Sequence, residues 1–413
     1  MKNVASVEVL LSGVRVGELV SVPRRGTFFA YDERWLATGF NLSPLNMAFN
    51  SAPQAAPDLH LFGGLMGVFA DSLPDGWGML LMDRFFLRER GIDRRAVTSL
   101  DRLAYMGSRG MGALEYQPVL DKTEVDSSLD LERLYQAALE IYDGYTETTL
   151  DALRLAGGSP AGARPKVVVA LSRDKQRCAS PFKTLVEGYE HWLVKFRSPE
   201  EHRDTGAIEY AYAQMARKAG VETAESALIN VQAGNGLERF FAAKRFDRDG
   251  ERKIHMLTAC GILYADYRTP SLDYGDLLRA TWAITGHAGE VEKMARLMIF
   301  NALAHNHDDH SKNFAYLFDQ GRWMLSPAYD LTFARVHGMA DEHTTAFAGV
   351  GLPTRKVLRK VGESFSFLKV DQYIEQTLEA LAGWPGLCRE LDVAGQQEAE
   401  IQVALEQVRT GLG

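Results

Sequence analysis

The segment 306–313 concentrates groups that could do chemistry. It reads Asn-His-Asp-Asp-His-Ser-Lys-Asn and follows an apolar stretch that predicts a buried helix. Asp308 and Asn313 are five residues apart. In phosphotransfer loops this offset separates an aspartate that orients the acceptor hydroxyl from an amide that binds Mg²⁺. Asp330 follows a predicted hairpin and offers a carboxylate oxygen, a ligand that Mg²⁺ prefers. The spacing predicts phosphoryl transfer from ATP, with Asp308 as the catalytic residue.

A segment that could bind phosphate lies upstream. Residues 157–166 read Gly-Gly-Ser-Pro-Ala-Gly-Ala-Arg-Pro-Lys and lead into an apolar strand. Glycines allow backbone N–H groups to approach phosphate oxygens, and Arg164 and Lys166 add positive charge. The pattern is neither a Walker A sequence nor the usual glycine-rich motif of kinases. On its own, the segment therefore also fits a flexible surface loop.

Lys195 lies in a predicted strand, opposite the face that carries Trp192, Val194 and Phe196. Burying a lysine charge without a partner is unfavourable, so this amine requires an anion, such as an ATP phosphate, or a path to solvent. Glu209, in the first turn of the next predicted helix, could pair with Lys195 or simply be solvated. A hairpin with a Gly-Asn-Gly turn then leads to the point where the chain would cross between two lobes.

The histidine-rich segment also admits a different kind of site. Imidazole and carboxylate groups at these positions could bind a transition metal, as in a metal-dependent hydrolase. The candidate ligands are His305, His307, Asp308, Asp309 and His310. Lys312 beside the cluster and the ordered upstream elements favour phosphoryl transfer.

Together these motifs resemble the HipA family, the kinases of type II toxin–antitoxin pairs, over residues 1 to about 370. The motifs are 69–76 (Phe-Ala-Asp-Ser-Leu-Pro-Asp-Gly), 158–166, 191–196, 245–248, 308–313 and Tyr329-Asp330. The resemblance implies an α+β, protein-kinase-like bilobal fold. A small mixed α/β N-terminal subdomain is expected at 1–120, an ATP-binding part at 121–250 and a mostly helical C-terminal lobe at 251–413.

The resemblance also implies roles, those of an ATP- and Mg²⁺-dependent serine/threonine protein kinase. Asp308 matches the catalytic aspartate, and Asn313 and Asp330 match the Mg²⁺ ligands. The residues implied to bind ATP are Ala161, Gly162, Ala163, Arg164, Pro165, Lys166, Lys195, Lys244, Arg245, Phe246, His310 and Lys312. Leu331 follows Asp330 where other kinases have Asp-Phe-Gly, so the phenylalanine switch of those kinases is not implied.

Ser159 matches the serine that the family autophosphorylates. A phosphate there adds about −1.5 to −2 charges to a loop that holds the phosphates of ATP, and would switch the kinase off. The alternative is that Ser159 and Pro160 form only a loop turn.

The family's partners are a small HipB-like helix-turn-helix antitoxin, which binds operator DNA, and protein substrates that include aminoacyl-tRNA synthetases. The net charge of −8 disfavours direct DNA binding, so we expect DNA contact only through the antitoxin. Two hypotheses from other classes stay open. The chain could be an antitoxin-bound corepressor without catalysis, or a kinase of a small molecule or lipid.

Composition favours a cytoplasmic protein. The cysteines Cys178, Cys260 and Cys388 are far apart and form no CxxC pair, so reduced thiols are expected. The first twenty residues lack the uninterrupted apolar h-region of an export signal, and no stretch approaches the roughly 18 apolar residues of a membrane-spanning helix. We therefore expect no export signal and no membrane contact.

Overall fold

The first unit of the chain is an antiparallel sheet covered by helices. The computed structural model describes residues 3–122, 128–143, 150–157, 162–234, 236–335 and 341–413. The strands are β1 (Ser6–Leu11), β2 (Val14–Val22), β3 (Gly26–Tyr31), β4 (Gln54–Ala55) and β5 (Leu114–Gln117), in the spatial order β4-β3-β2-β1-β5. The helices are α1 (Glu33–Thr38), α2 (Gly67–Ala70), α3 (Gly76–Arg90) and α4 (Ser99–Met106). Alternating apolar residues in β1, such as Val7 and Val9, form its core.

The second unit contains a six-stranded sheet with the order β10-β11-β9-β7-β8-β6. Its elements are β6 (Ser128–Leu129), α5 (Leu131–Tyr142), α6 (Leu150–Gly157), β7 (Lys166–Ser172), β8 (Cys178–Ala179), β9 (Tyr189–Lys195), α7 (Thr205–Lys218), β10 (Ser226–Ala233) and β11 (Gly236–Lys244). Strand β7 is buried along its whole length, as its Val-Val-Val-Ala-Leu run predicts. Trp192 and Val194 of β9 lie in the core, on the face opposite Lys195.

The third unit is mostly helical. Its strands are β12 (Arg248–Asp249), β13 (Arg252–Lys253), β14 (His255–Thr258), β15 (Leu272–Asp273), β16 (Ala315–Asp319), β17 (Arg322–Leu325) and β18 (Thr345–Ala346). Its helices are α8 (Ala259–Leu263), α9 (Tyr274–Thr285), α10 (Ala288–Leu303), α11 (Arg355–Gly362), α12 (Val370–Leu381), α13 (Trp384–Glu390) and α14 (Gly395–Gly411). The C-terminal half of α10 is buried all round. It ends directly before the histidine-rich segment and thereby fixes that segment at the lobe boundary.

The N-terminal unit packs closely on the rest of the chain. Gly67 of α2 lies against the backbone of Gly261, where a Cβ would overlap the carbonyl oxygen. The Asp71 carboxylate accepts hydrogen bonds from the backbone N–H of Thr258 (2.6 Å) and from its hydroxyl (2.8 Å). The predicted α+β organisation, with a small mixed N-terminal unit and a helical C-terminal lobe, is confirmed. Across the described ranges, the structure contains no helix with the length and apolarity needed to span a bilayer.

Candidate active site

A cavity of about 590 Å³ lies between the second and third units, and residues from all three units line it. The predicted site residues that line it are Gly162, Ala163, Arg164, Lys166, Lys195, Lys244, Arg245, Phe246, Asp308, His310, Lys312, Asn313 and Asp330. Pro165 is buried behind the loop, where its carbonyl accepts a hydrogen bond from Phe196. Ser159 and Ala161 lie outside the described residues.

The predicted catalytic loop folds back on itself. The side-chain amide of Asn313 donates to the carbonyl oxygen of Asp308 at 2.7 Å, and the Asn313 backbone N–H donates to His310 at 2.9 Å. Because the amide nitrogen is used in this way, the Oδ1 atom of Asn313 is the atom left to act as a metal ligand. The Asp308 side chain, 63 % exposed, opens toward the cavity. Desolvation by the cavity walls, followed by repulsion from Asp330, raises the pKa of Asp308.

Asp330 forms a buried ion-pair network with Lys195 and Glu209. The Lys195 ammonium contacts both carboxylates. Although burial opposes ionisation, the positive charges of Lys195 and Lys166 hold the pKa of Asp330 well below its usual range. Asp330 also has a left-handed backbone conformation, with φ of 55°. The site therefore holds an ionised carboxylate at the position where a Mg²⁺ ligand is predicted.

Positive charge accumulates on the sheet side of the cavity. Lys166 and Lys195 are direct cross-strand partners on β7 and β9, and both line the cavity. Like charges placed opposite each other are unfavourable, and burial lowers the pKa of Lys166. Arg164 lies next to them and pairs with Glu209 at 3.0 Å and with Glu201 at 2.8 Å. Such an arrangement is electrostatically suited to an anion such as a polyphosphate.

A second carboxylate of the loop has a supporting role. Asp309 is fully buried and accepts hydrogen bonds from the Tyr274 hydroxyl (2.7 Å) and the Thr345 backbone N–H (3.1 Å), and its Oδ2 is 2.9 Å from Nδ1 of His343. Asn301 in turn donates to the Tyr274 hydroxyl at 2.9 Å. These contacts anchor the loop beneath Asp308.

The five candidate ligands of the hydrolase alternative do not all come together. Asp309 is committed to the buried network just described, and the closest approach of Asp308 to His310 is 3.9 Å. Among the described residues, the histidines gather instead around Asp341, a residue that the sequence had not singled out. Burial lowers the pKa of His307 to about 4. Of the five candidate ligands, His305 and His307 therefore lie with Asp341, apart from Asp308 and Asp309.

The predicted crossing between the lobes is held by charged side chains. Lys244 pairs with Glu190 at 2.5 Å. The Arg245 side chain binds Asp247 at 2.6 Å and also donates to the Gly110 carbonyl of the N-terminal unit. Phe246 lies 5.5 Å from the Tyr329 ring, between ring centroids, and gives the cavity an aromatic wall.

Two aspartates of the N-terminal unit, Asp71 and Asp75, line the cavity. Neither was predicted from the sequence as a site residue. Asp75 accepts hydrogen bonds from the Gly162 backbone N–H and from the Lys312 ammonium, the latter at 3.0 Å. Gly76 lies against the same loop, because an added Cβ would be 2.6 Å from the Gly162 carbonyl oxygen. Both aspartates belong to the motif 69–76, but the sequence predicted no role in the site for either. Asp75 contacts the phosphate loop instead of capping α3.

The second missed aspartate gives a prediction about pH. Burial raises the pKa of Asp71 to about 6 from its ordinary 3.8. Between these values the unfolded chain has lost a proton that the folded chain keeps, so the free energy of unfolding falls as pH rises. With asparagine in place of Asp71, the free energy of unfolding should fall less over this pH range. The difference from wild type should be at most about 3 kcal/mol. Urea unfolding of both proteins at several pH values between about 4 and 7 measures this difference. Parallel profiles would contradict the assignment.

The fold and the cavity define the class of this protein: it has the bilobal, kinase-like fold. Family models for the HipA N-terminal domain match residues 7–117, and models for the HipA-like C-terminal domain match residues 158–384. The chain therefore belongs to the HipA family, as its motifs predicted.

A solved structure shares the fold of this chain. The chain is similar to the HipA of Shewanella oneidensis MR-1, whose structure contains HipB and its operator DNA. The identity is 18 %, the match covers 98 % of this chain and 95 % of that chain, and the TM-score is 0.68. The Helicobacter pylori proinflammatory kinase CtkA matches at 14 % identity over 55 % of this chain and 86 % of that chain, with a TM-score of 0.36. Comparison with curated proteins gave no match.

Proposed function

We propose that the protein is an ATP- and Mg²⁺-dependent serine/threonine protein kinase. One observation carries this proposal. Lys166 and Lys195 are neighbours on adjacent strands, and both line the cavity that is also lined by Asp308, Asn313 and Asp330. Two buried lysines are favourable together only with nearby negative charge. Asp330 supplies part of it here, and the phosphates of a nucleotide would supply more.

The described residues fit the tasks of phosphoryl transfer. Lys195 and Lys166 bind phosphate oxygens, and backbone N–H groups of the loop that begins at Gly162 bind the phosphates as well. Asp330 and the Oδ1 atom of Asn313 would hold Mg²⁺, which neutralises charge on the phosphates when it is bound. Asp308 orients the acceptor hydroxyl and accepts its proton. Its exposure to the cavity leaves room for a protein substrate.

We further propose that the kinase is the toxin of a HipBA-like toxin–antitoxin module and acts in the cytoplasm. The family assignment supports this, as does the Shewanella relative, which was solved with HipB and operator DNA. The expected partner is a HipB-like helix-turn-helix antitoxin, and this chain would reach operator DNA through it. The expected substrate is an aminoacyl-tRNA synthetase or another translation component.

Autophosphorylation of Ser159 would regulate the same site. Ser159 is three residues before Gly162, whose backbone N–H is held by Asp75. A phosphate so close to the loop would repel the phosphates of ATP and compete for Lys166 and Lys195.

The test is incubation of the antitoxin-free, dephosphorylated chain with Mg²⁺ and γ-labelled ATP, followed by mass mapping. Wild type should carry phosphate on Ser159, and Asp308→Ala should carry none while still binding ATP. Phosphate on other residues, still dependent on Asp308, would support the kinase and contradict the Ser159 role. Folded wild type that neither binds ATP nor transfers phosphate would contradict the kinase and favour the corepressor hypothesis. Adding purified aminoacyl-tRNA synthetases, with a lipid mixture in parallel, identifies the acceptor class.

A further inference from the structure

Two buried imidazoles and one carboxylate meet beside the catalytic loop, outside the cavity. His307 Nδ1 is 2.8 Å from Asp341 Oδ1, and His305 Nε2 is 3.4 Å from Asp341 Oδ2. The two histidine rings stack with their centroids 3.8 Å apart. One potential ligand atom from each of the three residues lies within 4.8 Å of the other two. Phosphoryl transfer as proposed above uses none of these residues.

The surroundings of His305 orient it as a ligand. Its Nδ1 atom is 3.3 Å from the Ala334 carbonyl oxygen, which can only accept a hydrogen bond, so Nδ1 carries the proton. The lone pair of the neutral ring is therefore on Nε2, the atom that points to Asp341. Metal-binding histidines commonly donate their other ring N–H to a backbone carbonyl in this way.

The spacing of the three groups suits a small tetrahedral ion. With metal–ligand bonds of about 2.0 Å, tetrahedral ligand atoms lie about 3.3 Å apart. The distance from Asp341 to His305, 3.4 Å, is close to this value. The 2.8 Å contact of Asp341 with His307 is a hydrogen bond, which the ion would replace with release of the Nδ1 proton. We propose that His305, His307 and Asp341 bind one divalent transition-metal ion of the zinc type. The fourth position would be taken by water.

This site differs in chemistry from the predicted Mg²⁺ site. Two imidazole nitrogens and one carboxylate favour zinc or a neighbouring transition metal, whereas Mg²⁺ prefers oxygen ligands such as those of Asn313 and Asp330. His343 is close to the His307 ring, at 4.3 Å between centroids, but its Nδ1 faces Asp309. The proposed set is therefore limited to three protein ligands.

The ion would connect the segment after Asp330 to the catalytic loop. The described parts of this segment already contact the loop through their backbone. Ala334 donates to His305 at 3.1 Å, and Thr344 donates to the His307 carbonyl at 3.0 Å. Asp341 is 43 % exposed and lies just before the second of these contacts. Metal binding would hold this segment in place next to Asp308, as a structural site separate from the transfer reaction.

The experiment is a zinc titration of the metal-free full chain against a chromophoric zinc chelator, with excess Mg²⁺ present to fill oxygen-ligand sites. Wild type should bind one equivalent. Asp341→Asn and His307→Gln should each weaken binding by at least about 10-fold, because loss of even an outer hydrogen-bond partner of a metal ligand has that effect.

Two matched variants should keep the wild-type zinc affinity. Glu342→Gln removes the neighbouring carboxylate, and Asp308→Asn removes a carboxylate from the same loop. Since Asp341 is at the surface, Asp341→Asn is expected to fold, and its thermal unfolding checks this. Cobalt(II) absorption provides a second measurement, because tetrahedral bands should appear in wild type and weaken in Asp341→Asn. No zinc bound by wild type, or equal binding by all variants, would overturn the site and leave the proposed kinase untouched.

Discussion

Asp330→Asn should lower the rate of phosphoryl transfer by about 10³-fold while the protein stays folded. The side chain supplies the charged oxygen ligand for Mg²⁺, and it also holds the Lys195 ammonium, together with Glu209. An amide keeps the shape but loses the charge, so both functions weaken together. Asparagine tolerates the left-handed backbone of this position, where φ is 55°, better than most residues. Initial rates with labelled ATP over a range of Mg²⁺ concentrations measure the effect.

A matched control separates this effect from a general loss of negative charge. Asp319 lies in the same unit, pairs with Arg252 and does not line the cavity, so Asp319→Asn should keep the wild-type rate. If Asp330→Asn reached the wild-type rate at saturating Mg²⁺, Asp330 would be a weak contributor to metal affinity, and the proposed role in transfer would be wrong.

Asp247→Ala should lower the free energy of unfolding by about 3–5 kcal/mol. Asp247 is fully buried between Arg245, at 2.6 Å, and Arg248, at 2.8 Å, and accepts the Gly112 backbone N–H at 2.7 Å. These two arginine charges hold the pKa of Asp247 far below its usual range despite burial. Without the carboxylate, two guanidinium groups would face each other in a water-poor interior. The midpoint of denaturant unfolding measures the loss.

Asp249 is a suitable control because it lies two residues away and is exposed. Its side chain is 70 % exposed and pairs with Arg252 on the surface, so Asp249→Ala should change stability by less than about 0.5 kcal/mol. Equal midpoints for the two variants would contradict the buried-network explanation. The depressed pKa has a further consequence: the stabilisation by Asp247 is complete above the ordinary aspartate pKa and is lost as pH falls below it.

Much of the fold and of the site geometry was accessible from local sequence patterns. The apolar run of β7, the alternation in β9 and the helix before the histidine-rich segment are short-range signals, and each predicted element is present in the structure. Asp308 and Asn313 belong to one continuous loop, so their five-residue offset alone brings them together. Their chemical roles stay predictions until transfer is measured.

Contacts between distant segments were not accessible. Asp75 reaches Lys312 across 237 positions of sequence, and nothing in the Pro-Asp-Gly pattern names that partner. Asp341 meets His305 only because two stretches after Asp330 hydrogen bond to the catalytic loop. Arg245 lines the cavity, but its motif did not reveal that its guanidinium pairs with Asp247. Pairings of this kind depend on how the units dock, which periodicity does not encode.

The contact of Asp75 and Gly76 with the loop at Gly162 has a thermodynamic consequence. It makes the N-terminal unit part of the nucleotide site, so the two cannot respond independently. Suppose that a partner protein binds the N-terminal unit with an affinity that depends on the position of the Gly162 loop. Binding of that partner would then change the affinity of the cavity for nucleotide by some factor. Linkage then requires that nucleotide change the affinity for that protein by the same factor. For such a partner, coupling to the cavity would need only this backbone contact and no long chain of intervening residues.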